Sequence, residues 1–201
     1  MSDSFFKMFS IVDGKLGFYE EKVLSLDEVR NVLLRFPCVL PFTSSKRCYV
    51  LRNVPLNGRF ADLVIVVKEK GGLDFYVPYF NWYSAGSTVE TTYPSAQKAY
   101  WDLGVQIEDV DEELMDLSYK LRESKSKQAR ELKNSIRELL GVKRIKVNNV
   151  IAVIVVDKLT KTFEELIDAI NEMTDMLIYA MELRAYCKNN KECVYIANGY
   201  E

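Results

Sequence analysis

Asp62 heads an apolar strand in the run GRFADLVIVVKEKGGLDFYVPYF, residues 58–80, and its setting suggests chemistry. Carboxylates gathered at a strand start can hold a divalent ion that activates water and neutralises charge developing on phosphorus. Two further acids extend the set, Glu28 in SLDEVRNVLLRF and Asp74 on the strand after the KEKGG turn. Glu28, Asp62 and Asp74 are three carboxylates that this stretch and the segment before it supply. Taken alone, Asp62 also has a plainer reading, a strand-terminal carboxylate paired with Arg59 or a lysine of the turn.

A second chemistry is electrostatic. Between Asp102 and Asp116 stand seven acids and no base, whereas Lys120 to Lys146 holds ten bases against three acids. Acids at a helix start and bases at its end complement the macrodipole, which makes a solvated helix face the simplest reading. The stretch RESKSKQAR, residues 122–130, has no large apolar residue, so it projects into solvent or meets a partner. Arg122, Lys125, Lys127, Arg130 and Lys133 are the candidate contacts to a nucleic-acid backbone. Self-association, acidic start against basic end, is the alternative use of the same helix. Asp109-Val-Asp111 has the D-x-D shape of metal-dependent sugar transfer, but its place at an acidic helix start reads as capping. Tyr79, Phe80, Trp82 and Tyr83 could stack bases, and would serve equally at a protein interface.

Composition narrows the field. The 201 residues contain no histidine, which removes the Ser-His-Asp triad, the Cys-His pair and every imidazole metal site. Cys38, Cys48, Cys187 and Cys193 lack C-x-x-C spacing, so they read as reduced, buried thiols, with a Cys187–Cys193 hairpin bridge as a minor alternative. No phosphate-binding glycine loop is present. The N-terminus lacks a signal-peptide core, and VIAVIVV is too short to cross a bilayer. A soluble, cytoplasmic chain without a membrane partner is expected. Its Lys and Glu content leans towards a thermophile.

These residues need elements to position them. The pattern predicts a mixed α/β (α+β) chain, β-rich with one short helix over 1–107, then helical with a strand-helix-strand unit over 108–201, packed as one domain. Asp13-Gly14 signals a hairpin. Ser25 and Glu28 form a capping box opening a helix that Pro37 ends. Pro78 predicts an edge or irregular strand. Residues 94–104 predict a short helix ending at Gly104, and a long helix follows from about Asp109 to Leu140. Thr162 and Glu165 predict a second capping box. The helix it opens carries Phe163, Ile170, Leu177 and Met181 on one stripe, and ECVYIA follows as the last strand.

In this order Glu28, Asp62, the following strand and a helix bearing Gln97 resemble the PD-(D/E)XK nuclease superfamily, particularly its archaeal Holliday-junction resolvase and RecB-like branches. The resemblance covers residues 25–107. It implies Glu28 as the helix acid and Asp62 as the strand acid, with Asp74 nearby as the third candidate catalytic acid, Asp62 and Asp74 as candidate ligands for Mg²⁺ or Mn²⁺, and Gln97 as a polar contact to nucleic acid. Its acid-x-Lys element is not matched, because the residue two beyond Asp74 is Tyr76. The expected function is a nucleic-acid-associated protein, with DNA as its candidate partner, whose nuclease-like core is either active or has lost its catalysis. The alternative is a non-enzymatic assembly protein of a virus, such as an archaeal virus, or of a mobile element, with the long helix joining copies.

Overall fold

The computed structural model describes residues 8–12, 15–43, 45, 47–80, 96–156, 158–188 and 192–201, with the backbone alone for 8–12, 15–17 and 96–106. A hairpin of β1 (Met8–Val12) and β2 (Lys15–Lys22) comes first, with Val12 opposite Lys15. That register leaves a two-residue link, and the Asp13-Gly14 turn itself lies outside the described residues. Helix α1 (Leu26–Arg35) opens on the predicted capping box: the Ser25 hydroxyl accepts from Glu28 N–H, while Glu28 Oε2 accepts from Ser25 N–H at 2.9 Å. A single 3-10 turn over Pro37–Val39 follows. Then come β3 (Cys48–Pro55), β4 (Phe60–Glu69) and β5 (Gly72–Tyr79), an antiparallel meander.

Helices α2 (Ala96–Arg122) and α3 (Lys127–Leu140) connect β5 to β6 (Val147–Val156), which lies parallel to it. Helix α4 (Lys161–Met173) connects β6 to a parallel β7 (Leu177–Lys188), and β8 (Glu192–Tyr200) returns antiparallel. The strand order is β1-β2-β7-β6-β5-β4-β3, with β8 also on β7. Residues 177–182 of β7 pair with β6, 185–187 with β2, and 180–188 with β8. A strand has two edges, so β6 and β2 share one end to end, and β8 occupies the other. β5 joins β6 across the boundary at 107/108, so one sheet spans both halves of the chain.

Alternation along the central strands builds two cores. Val64 and Val66 of β4, with Ala152, Ile154 and Val156 of β6, face α2, α3 and α4. Leu63, Ile65 and Val67, with Ile151, Val153 and Val155, face Leu26, Val29, Val32 and Leu33 of α1. The run Val150–Val156 is apolar at every position because β6 is central and covered on both faces.

Five expectations need correction. Gly104 does not end a helix: α2 runs through it from Ala96. The helix expected to reach Leu140 breaks after Arg122, and Ser126 caps α3 by accepting from Ala129 N–H. α4 is capped by Thr160 and not by Thr162, and it stops at Met173, where the Thr174 hydroxyl donates to Ile170 O at 2.8 Å. Leu177 and Met181 therefore belong to β7. Pro78 is in a central strand, but pairing with β4 stops at Tyr76 while pairing with β6 continues to Tyr79. The missing N–H falls where the β4 ladder lapses. Finally, the four cysteines are bonded, Cys38 to Cys48 and Cys187 to Cys193, which replaces the reduced-thiol reading.

Candidate nucleic-acid interface

Where β4 and β5 part, a cleft of about 440 Å³ opens, lined by Phe60, Asp62, Pro78 and Tyr79 among others. Arg30 of α1 enters it from one face and donates to Asp62 at 2.5 Å. Its guanidinium carbon lies 5.7 Å from the Phe80 ring centroid. On the other face Arg59 donates to Glu113 of α2 at 2.6 Å, and the Tyr79 hydroxyl donates to the same carboxylate at 2.9 Å. Burial works to lower the Arg59 pKa, but the hydrogen bond and charge of Glu113 prevail and raise it. Burial, then the Glu113 charge, pushes the Tyr79 hydroxyl well above its ordinary value, so it remains a donor.

The three candidate acids are not brought together. Asp74 pairs with Val67, five residues along β4 from Asp62, a separation of about 17 Å at the strand rise. At that far end Asp74 is buried and accepts from the Asn149 backbone N–H and side-chain amide. Burial raises its pKa, and the two Asn149 donors partly oppose the shift. Glu28 stands two residues before Arg30, on the opposite side of α1 from the residue that meets Asp62. Both its oxygens are engaged, one by Lys22 and one by Ser25, and these contacts lower its pKa, Lys22 foremost. Among the described residues no group of three or more Cys, Asp or Glu side chains is placed to hold a metal ion. The partner at Asp62 is a guanidinium, and the residues here do not fit a bound Mg²⁺ or Mn²⁺.

Gln97 lies on the first turn of α2, and its side chain is outside the described residues, as are Trp82 and Tyr83. The basic candidates fall into a different setting from the expected one. Arg122 closes α2 and donates to Asn148 O at 2.8 Å. Lys133 donates to Ser124 O at 3.0 Å, closing the break between the helices. Lys125, Lys127 and Arg130 now stand at the start of α3, and its first turn carries no acid. Positive charge at a helix N-terminus opposes the macrodipole, which costs about 0.3–1 kcal/mol per charge. Glu131 lies 4.0 Å from Lys127, with both side chains well exposed, and offsets little of this.

Four further bases, which the spacing of the long helix alone does not single out, form a second basic cluster. Leu73 N–H donates to Lys146 O at 2.8 Å, and Gly72 lies so close to Lys146 O and Asn148 that a Cβ would clash. The β4–β5 turn bearing Lys70 is thereby set beside the segment bearing Lys143, Arg144 and Lys146, and Arg122 joins it through Asn148. None of Lys70, Lys125, Arg130, Lys143, Arg144 and Lys146 has a carboxylate partner among the described residues. Lys143, Arg144 and Lys146 lie within the excess of bases read from Lys120 to Lys146, whereas Lys70, on the β4–β5 turn, lies outside it.

Fold and site together define a mixed α/β protein whose one sheet lies between helical layers, with a strongly basic margin near the N-terminal ends of β5 and β6. No protein-family model, curated protein or solved structure matches the chain. Among the described residues no helix is long and apolar enough to cross a membrane.

Proposed function

We propose that this chain binds the phosphate backbone of nucleic acid through the basic start of α3 and does not cut it. The observation that carries the reading is the placement of Lys125, Lys127 and Arg130 at the N-terminal turn of α3. Helix-end electrostatics disfavours bases there, and an anion would reverse the sign of that term. The order helix, Asp62 strand, next strand and Gln97 helix supports a nuclease-like core. Separation of Asp62 from Asp74, and the guanidinium at Asp62, support loss of catalysis.

The test uses single-stranded, duplex and branched DNA with the full chain. Binding should weaken steeply with salt. Reversing Lys125 and Lys127 to Glu should flatten the slope of log K against log salt by about 0.9 for each phosphate no longer neutralised. No binding at low salt would overturn the proposal. Cleavage in Mg²⁺ or Mn²⁺ that Asp62→Asn abolishes would overturn its non-catalytic half. The second reading, an assembly protein, draws its own support from the sheet margin formed by β8.

A further inference from the structure

An edge strand carries a row of unpaired N–H and C=O groups that can template another strand, and proteins usually blunt such edges with charge, proline or a covering element. β3, at one margin, is blunted four ways. Leu132 and Ile136 of α3 pack in the same core as its Leu51 and Val54. Asn53 adopts φ 51°, a left-handed conformation that interrupts the extended edge. Pro55 lacks an N–H, and Arg52 adds an exposed charge.

β8, an edge distinct from both β3 and β1, has none of these devices within its length. Its nine residues, ECVYIANGY, include no proline and one charged side chain, Glu192, at the extreme end. None has a left-handed backbone. The strand is nonetheless held firmly in the sheet. Gly199 lies under Pro41 and Phe42, with no room for a Cβ. The Tyr200 hydroxyl donates to Asp168 of α4 at 2.7 Å, and the Cys187–Cys193 bridge fixes the hairpin. Among the described residues its outer edge receives no backbone hydrogen bond. Val194 and Tyr195, adjacent and so on opposite faces, are each 39% exposed.

We propose that β8 pairs with β8 of a second copy of this chain, antiparallel about a two-fold axis, joining two sheets into one. An isologous contact must be self-complementary, and this edge is. A register centred on Ile196 sets uncharged residues opposite one another from Cys193 to Gly199 and places Glu192 across from the partner's Tyr200, so no like charges meet. A foreign peptide is the weaker fit, because strand addition draws specificity from pockets for alternate side chains. Neither the β4–β5 cleft nor the groove beside α2 is lined by β8. One strand pair with its flanking side chains lies near the low end of specific interfaces, roughly 1,200 Å², so the dimer should form in the micromolar range.

The experiment is sedimentation velocity of the full chain from low to high micromolar concentration, with amide hydrogen exchange at both extremes. Mass should rise from 23.2 kDa towards twice that value. Alternate β8 amides should exchange fast when dilute, and all should be protected when concentrated. Val194→Lys, and separately Asn198→Lys, should hold the chain as a monomer with its melting temperature unchanged. A monomer at every concentration overturns the proposal. So does a dimer whose β8 amides still alternate, or one that survives both lysines. If a lysine variant does not fold, exchange in the unaltered chain decides.

Discussion

Glu113 is nearly fully buried, and its charge is held by one guanidinium and one phenol. Its partner Arg59 is two-fifths exposed, so the two halves of the pair should respond unequally to substitution. Arg59→Met leaves a carboxylate in the core with Tyr79 alone, and should cost about 2–3 kcal/mol in urea unfolding. Glu113→Gln keeps an acceptor for Tyr79 and frees Arg59 to water, so about 1 kcal/mol is expected. The reverse order would mean that Arg59 contributes packing and not charge. Acid titration separates two other carboxylates. Glu28 has a lowered folded pKa, so its stabilisation is full above the ordinary Glu value and fades as pH falls through the folded one. Asp74 is raised, so its folded state favours the proton, and its contribution improves as pH falls from the raised value towards the ordinary one. The stability gap between the wild type and Glu28→Gln should therefore shrink in mild acid, while the gap to Asp74→Asn should shift in favour of the wild type. Residue types showed these carboxylates, but not who meets them. One part of the geometry was nevertheless readable: two acids each early in successive strands of a hairpin must lie at opposite ends of it, as Asp62 and Asp74 do.

The elements that periodicity identified well are those with local punctuation. α1 has its capping box and Pro37, and residues Val150–Val156 of β6 are apolar at every position because both faces are covered there. Periodicity failed where one pattern suits two elements. Leu177 and Met181 continue the stripe of α4 at helical spacing, yet LIYAMELRAYCK is a largely buried strand, and only tertiary burial decides between them. The helix break failed for another reason. Ser124 and Ser126 are weak breakers in isolation, and their hydroxyls, 3.1 Å apart, stop one helix and start the next. Ser126→Ala should cost about 1 kcal/mol as the loss of an N-cap. Lys127→Glu should do the opposite, stabilising α3 by about 0.3–1 kcal/mol, because an acid at the first turn suits the dipole. Chemical denaturation of the two variants measures both signs. A destabilising Lys127→Glu would show that the base is structural, and would remove the electrostatic reason for an anion at this turn.

At the scale of the molecule, the central strands of the sheet are covered on both faces, and two covalent ties sit towards its margins. Cys38–Cys48 binds the 3-10 turn after α1 to the first residue of β3, so it clamps the thin helical layer onto the sheet. Cys187–Cys193 links residues already directly opposite in the β7–β8 ladder. The separations are 10 and 6 residues, and each bridge should contribute about 2–3 kcal/mol by restricting the unfolded chain, slightly more for the longer loop. Native context widens the difference. With Cys187–Cys193 opened, nine paired positions still hold β8 on β7. With Cys38–Cys48 opened, α1 keeps its buried face, but the turn that follows it loses its anchor to the edge strand. Replacing Cys38 and Cys48 together by Ser should therefore lower the urea midpoint more than replacing Cys187 and Cys193 together. A reductant should reproduce the sum in the unaltered chain and change nothing in a variant lacking all four. Equal losses from the two pairs would mean that loop entropy alone governs, and that the clamp on α1 adds nothing.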